Sequence, residues 1–387
     1  METSLDIFSF VIQNTKSQLM YIKRKFPLLG MIKWTRRDIY KFIIIGVIPV
    51  FMYKGLGFYW LHLPWLPIGV VGTAVAFIVS FKNNASYDRL WEARKIYGGI
   101  VNGSRSFTLM LNDFISNAYA KNPLTEGELF KIRKEMVMRH VAWMTSLRHT
   151  LRQHKPWEVS KVHKSDQEWM SKQEVREWKY SLEEELDGYV SETEMKEILS
   201  KKNKQGACLN LQSRHLKKLL DDGLIEDFRH MEMQSMLTEF FTLQGKVERI
   251  KNFPYPRQFA TLNYLFVWIF IILLPLGMMH EFEKIGMSVV IDIQEHMKIH
   301  SSPIHAVVEF IGNYFIWFTI PFTVIVSWIF HTMERIGETT ENPFEGNGND
   351  IPITTMSRGI EIDIRQMIND NPESIPSPIE SQLDIQL

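Results

Sequence analysis

AFIVSFKNNASYDRLWEARK, residues 76–95, begins as hydrocarbon-grade sequence and changes character within two residues. After Phe81 come Lys82, Asn83, Asn84, Asp88, Arg89, Glu92 and Arg94, with no proline or glycine to stop a helix. The spacing predicts one helix that leaves an apolar medium without ending and carries aromatic side chains as it goes. The rest of the chain has to be arranged around that element.

The 387 residues are 45% hydrophobic and 12% aromatic, with 44 basic and 44 acidic side chains. Such a composition excludes a disordered chain. Balanced charge, with no basic-aromatic motif, argues against a nucleic-acid partner. The single cysteine, Cys208, leaves no disulfide or thiolate metal cluster within this sequence and suits a reducing compartment.

Apolar residues concentrate in four stretches, 39–60, 64–81, 255–279 and 304–331. Each is near the ~20 residues that cross ~30 Å of hydrocarbon as a helix. The first and third carry Tyr and Trp suited to a membrane interface. The fourth holds Glu309 and Asn313, so one side of it is expected to face protein or water. Buried helices of a large soluble protein are the weaker alternative. The first stretch is not a signal peptide, because 38 residues precede it and no small-residue cleavage site follows.

Lys16, Lys23, Arg24, Lys25, Lys33, Arg36 and Arg37 precede the first stretch, the link GLGFYWLHLPWLP is uncharged, and the link between stretches three and four is acidic. The positive-inside rule then puts both termini and the long middle segment in the cytoplasm. The expected organisation is a cytosolic N-terminal segment (1–38), helices one and two (39–100), a helical cytosolic domain (101–254), helices three and four (255–331) and a cytosolic strap and tail (332–387). The fold class is an all-α membrane protein with four transmembrane helices.

Within the middle segment, Thr125 with Glu128, Ser171 with Glu174, and Ser191 with Glu194 match the capping-box spacing. Gly223 stands where a helix C-cap glycine is expected. The tail, rich in Pro, Ser, Asn and acids, predicts an extended strap or partial disorder. No HExxH, P-loop or GxSxG motif occurs. His140, His149 and His154 are nine and five residues apart, which does not bring three imidazoles to one helix face. Catalytic residues, metal ligands and cofactors are therefore not expected.

On a helix over 69–81, Gly72, Ala76 and Ser80 form a stripe of small side chains, and Thr73, Phe77 and Phe81 form a second stripe one residue on. Small stripes let membrane helices approach closely. If several copies surround an axis, the second stripe lines a hydrophobic throat; spacing alone is equally compatible with lipid-facing phenylalanines. Beyond Phe81 the apolar face is expected to continue through Tyr87, Trp91, the Arg94 stem, Tyr97 and Val101. Asp88 and Glu92, like charges one turn apart, call for partners on other helices, so this stretch is expected to be buried among them.

FIVSFKNNASYDRLWEARKIYGGIVNGSRSF resembles the signature of the bacterial branch of the bestrophins, carried here by Asn83, Asn84, Tyr87, Arg89, Glu92 and Arg94. ENPFEGNGNDIPI, with Glu341, Asn342, Pro343, Phe344 and Asp350, is similar to the family's second hallmark. The resemblance covers nearly the whole chain. It implies a homopentameric channel of the bacterial inner membrane, whose partners are its own copies, membrane lipid and small monovalent ions, chloride or other anions first. It implies that helix two lines the axis and runs into a cytosolic vestibule, with neck rings at Thr73, Phe77 and Phe81. Thr73 replaces the usual aliphatic residue and should wet the outer ring. A cytosolic aperture is expected at Phe228 or its neighbour Arg229, which helix packing could equally explain. The acidic run of the calcium-activated relatives is reduced to Glu345 and Asp350, so calcium gating is not expected. Glu341, Asn342 and Asp350 are expected to hold the strap against a neighbouring subunit. Alternatives are a sodium- or potassium-selective homologue, a non-conducting membrane-anchored scaffold or sensor, and, less favoured, a membrane enzyme.

Overall fold

A computed structural model describes residues 25–158, 163–297, 303–381 and 385–386. Lys16, Lys23 and Arg24 of the basic N-terminal segment, part of the link between stretches three and four, and residues 382–384 and 387 of the tail lie outside them. The helices are α1 (Leu28–Gly55), α2 (Trp65–Phe114), α3 (Glu126–Leu151), α4 (Lys164–Met170), α5 (Arg176–Lys179), α6 (Leu182–Leu186), α7 (Glu192–Ser200), α8 (Lys204–Asp221), α9 (Asp227–Asn252), α10 (Arg257–Met297), α11 (Pro303–Asn313), α12 (Thr319–Thr340) and α13 (Ile353–Met367). No β-strand occurs among the described residues. The chain forms two compact units, one from 26–87 and 255–341, the other chiefly from 88–254 and 342–387. The continuous helix α2 contributes to both.

In the first unit, Phe42, Ile68, Val75, Val79, Val267, Phe270, Ile271 and Leu274 form a common core. Among the described residues, three helical stretches are long and apolar enough to cross a membrane: 59–114, 257–295 and 315–340. Helix α1, the expected first span, is less apolar, with only twelve uncharged residues between Lys41 and Lys54. The expected fourth span is not one helix. α11 ends at Asn313, a 3₁₀ turn covers Phe315–Phe318, and α12 starts at Thr319. Pro321 lies in the first turn of α12, where its missing N–H costs no helical bond, so it suits a helix start at that point. α11 folds against α10 at a glycine pair, where a Cβ on Gly286 would lie 2.3 Å from the Gly312 carbonyl oxygen. Glu309 accepts a hydrogen bond from Gln294 at 3.0 Å, which meets its need for a protein-facing side, whereas Asn313 is exposed.

The second unit packs α3, α8, α9 and α13 around Phe107, Trp143, Leu209, Phe240 and Ile364. Thr125 with Glu128 and Ser191 with Glu194 form capping boxes as expected. Ser171 does not; its hydroxyl donates to the Glu168 carbonyl at the end of α4, and the third box is instead Ser181 with Glu184. At Ser181 an apolar pair follows, Leu182 and Leu186, that joins the core. Gly223 has φ +72° and closes a Schellman motif, with Leu224 N–H on the Leu219 carbonyl and its own N–H on Leu220. The tail departs from the extended strap. Ile353, Ile360, Ile364 and Ile368 recur at helical spacing, and α13 buries that face in the core.

Candidate functional site

Helix α2 sorts its side chains sharply between 68 and 82. Ile68, Val75, Val79 and Lys82 are buried in their own unit, whereas Phe77 is 62% and Phe81 69% exposed, with Thr73 exposed beside them. The small stripe divides: Gly72 packs on Phe270, but Ala76 and Ser80 remain open. Together with Gly69, Thr73, Phe77 and Phe330 they line an open apolar groove of about 560 Å³. The Thr73 hydroxyl donates to its own Gly69 carbonyl at 3.0 Å, so only its oxygen lone pairs and methyl are left to face outward. That makes a ring of such residues less wet than the bare residue type suggests.

The polar run after Phe81 is anchored at once. Lys82, 1% exposed, pairs with the buried Glu334 at 2.6 Å. The Asn83 amide donates to the carbonyls of Val79 and Met333 at 2.9 and 3.0 Å. Asn84 and Tyr87 are exposed. Further along, Arg89 donates to the Ile250 carbonyl at 3.0 Å and Glu92 pairs with Arg249 at 2.6 Å. The expectation that this stretch is buried fails on one side: Tyr87, Asp88, Trp91 and Arg94 are exposed, and Arg94 lies over the Trp91 ring at 5.8 Å. Tyr97 leaves their face, since the ten residues from Tyr87 at ~100° each fall ~80° short of three turns; it is buried with Ala93, Ile96 and Ile100.

The second hallmark is buried within the chain itself. Glu341, Asn342, Phe344 and Asp350 are all at most 6% exposed. Glu341 pairs with Arg257, Phe344 lies 6.1 Å from the Tyr97 ring, and Glu345 accepts from Asn347 at 2.7 Å. Pro343 is buried as well, its carbonyl accepting from Ile351 N–H at 3.1 Å. Asp350 accepts from Arg152 at 3.1 Å and from Gly346 N–H at 2.5 Å. Burial pushes the Asp350 carboxyl up to about 6, against the opposing pull of Arg152. Beside it, burial also works against the Glu177 charge, but the Arg148 and Arg152 guanidiniums outweigh it and hold Glu177 below the usual carboxylate range. Sequence reading missed Arg148, Arg152 and Glu177 altogether. Arg148 and Arg152 lie one turn apart at the end of α3 and Glu177 lies on α5, so no local spacing links the two arginines to their carboxylate.

The three histidines go to three different partners. His140 is bonded to Ser104 at 2.8 Å and pushed down to about 3 by burial, His149 meets Glu185 at 2.5 Å, and His154 packs on Trp178 at 4.7 Å. At the start of α9, Phe228 is 79% exposed, whereas Arg229 stacks on Phe114 at 4.6 Å and pairs with Glu232 at 3.1 Å.

With both hallmarks placed, the family model described as Bacterial/Fungal Bestrophin protein matches residues 32–293 and 308–366. The chain belongs to the bacterial/fungal bestrophin family. A voltage-dependent anion channel-forming protein of Ralstonia nicotianae is 24% identical over 318 residues, 80% of this chain and 82% of the relative. The Escherichia coli K12 protein YneE, of the same description, is 22% identical over 341 residues, 88% and 86% of the two chains. The solved structure of a bacterial bestrophin homolog from Klebsiella pneumoniae has the same fold, with TM-score 0.64 and 21% identity over 87% of this chain and 99% of that one. The bestrophin match takes in α1 through most of α10 and resumes within α11, so it spans both compact units.

Proposed function

We propose that this chain is a bestrophin-type ion channel of a bacterial inner membrane, assembled as a homopentamer with four membrane-crossing helices per subunit. In this reading Thr73, Phe77 and Phe81 form successive rings of an axial neck. The observation that carries it is the exposure of Phe77 and Phe81 on a helix whose opposite face is packed in the subunit core. Large aromatic side chains left outside a subunit next to an apolar groove call for copies of the same helix.

Small anions, chloride first, are the proposed cargo. The names of the Ralstonia and Escherichia relatives support this, and so does chemistry, because the electropositive edges of phenyl rings can face an anion in a dry constriction. Of the two aperture candidates, Phe228 is favoured, since the Arg229 charge is already engaged by Glu232. Calcium independence follows from Glu345 and Asp350, the two acids of the hallmark loop, each of which has a partner in its own chain. Reversal potentials of purified protein in planar bilayers across an asymmetric potassium chloride gradient test the reading. A potential near the chloride equilibrium value supports it. One near the potassium value establishes the cation-selective alternative, and a lack of conductance the scaffold. Chelator and micromolar calcium should give the same open probability.

A further inference from the structure

Between α3, α6 and α13 the second unit encloses a small cavity of about 30 Å³, which shares no residue with the proposed neck. Thr145 and Arg148 of α3, Arg176 of α5, and Ser357 and Arg358 of α13 form much of its wall, and Ile379 of the tail adds an apolar side. Thr145, 3% exposed, and Ser357, 8% exposed, present hydroxyls there that bond to no described residue. Arg358 meets a single acid. Its Nε lies 3.4 Å from Glu361, and neither of its Nη groups donates to a described residue. That acid is already shared, since Glu361 accepts from Tyr189 at 3.0 Å and from Arg365 at 3.3 Å. Arg365 in turn pairs with Asp370 at 2.8 Å, which also holds Lys134 at 2.6 Å. Three cations, Lys134, Arg358 and Arg365, thus rest on two carboxylates.

The neighbouring acids do not restore the balance. Glu185 holds Arg148 at 2.8 Å and Arg176, while Glu177 holds Arg148 and accepts from Thr354 at 2.7 Å. Glu380 of the tail lines the adjoining cavity of about 120 Å³, but it is exposed and pairs with no described residue. We propose that the smaller cavity binds one small monovalent anion of chloride's kind, held by the Arg358 guanidinium and the hydroxyls of Ser357 and Thr145. Surplus positive charge at a largely buried site is unfavourable until an anion compensates it, and N–H and O–H donors from two helices converge on this one. A neutral water would fill the space and leave the charge uncompensated. Size sets the class of ligand: a water-sized occupant needs about 10–15 Å³, so the cavity admits a monatomic anion and has no room for a phosphate or a carboxylate metabolite. Bound there, the anion joins α13 to α3 and ties the stability of this unit to anion concentration.

Two measurements on the full-length protein test this. The first is the Tm in nanodiscs when sodium gluconate is replaced by sodium chloride at constant ionic strength, which keeps general charge screening fixed. The site predicts a rise of about 3 °C or more in wild type and its loss in Arg358→Gln, whereas chloride bound anywhere else would stabilise both proteins alike. The second is anomalous diffraction from wild-type crystals grown in sodium bromide, with a peak expected between Arg358, Ser357 and Thr145. It uses the unaltered protein, so it decides the question even where Arg358→Gln does not fold. A cavity without bromide overturns the proposal. So does an equal Tm in chloride and gluconate, since a bromide peak alone would then be an adventitious ion only, and so does a chloride effect that survives in folded Arg358→Gln.

Discussion

Asp350 sits where its proton matters. Burial raises its carboxyl from an ordinary value of 3.8 to about 6, so the folded protein binds more protons than the unfolded chain between those values. Its contribution to stability is complete below the unfolded value and is lost as pH rises through the folded one. Asp350→Asn removes this titration. The stability of the variant relative to wild type should therefore improve by about 2 kcal/mol between about pH 4 and pH 7, read from thermal unfolding across that range. A constant difference between the two proteins would show that Asp350 does not hold its proton. Gly223 gives a second residue-scale expectation. Its φ of +72° and the Tyr119 carbonyl, 2.2 Å from any added Cβ, should make Gly223→Ala lose on the order of 1–3 kcal/mol, measured by denaturant unfolding. Gly223 was legible in the sequence because the C-cap rule is local. Asp350 was recognised as a motif residue, but its partner Arg152 was not, because an ion pair spanning 198 positions leaves no local trace.

At the scale of elements, Lys82 shows how a helix can leave an apolar environment without ending. Its ammonium meets Glu334 of α12 with both groups out of water. Lys82→Ala strands a buried carboxylate and should cost about 3–5 kcal/mol, whereas Lys82→Met with Glu334→Leu should recover most of that loss. Tm values for the single and double variants check it, and equal losses in both would mean that packing rather than the ion pair holds the two helices. The long, strongly periodic helices were readable from hydropathy and breaks alone, α2 and α10 above all. Two elements were not. Stretch 304–331 looked like one span because hydropathy ignores backbone geometry, while the 3₁₀ turn at Phe315–Phe318 interrupts it. Helix α13 was hidden by the Pro, Ser, Asn and acid content of the tail around it, although its isoleucines follow a helical period.

For the whole molecule, the C-terminal region belongs to a core rather than to a surface strap. Truncation after residue 340 removes Phe344 and all of α13 and should give aggregated protein on gel filtration; truncation after residue 374 keeps α13 and should leave the folded assembly intact. An intact assembly after the longer deletion would contradict this placement. The neck stripe was legible from spacing only as one of two options, since a lipid-facing phenylalanine and a pore-facing one have the same period. Phe77 and Phe81 are exposed on the side away from the packed core of their own unit. Val75 and Val79, buried on the opposite face, supply the comparison: alanine there should weaken folding by about 1–3 kcal/mol and leave unit conductance unchanged. The decisive measurement is single-channel conductance of Phe77→Ala with Phe81→Ala in planar bilayers, on protein shown to assemble like wild type. Loss of two aromatic rings should widen and wet the neck and raise conductance or open probability. A correctly assembled double variant that conducts like wild type would contradict the claim that these side chains line the path of the ions.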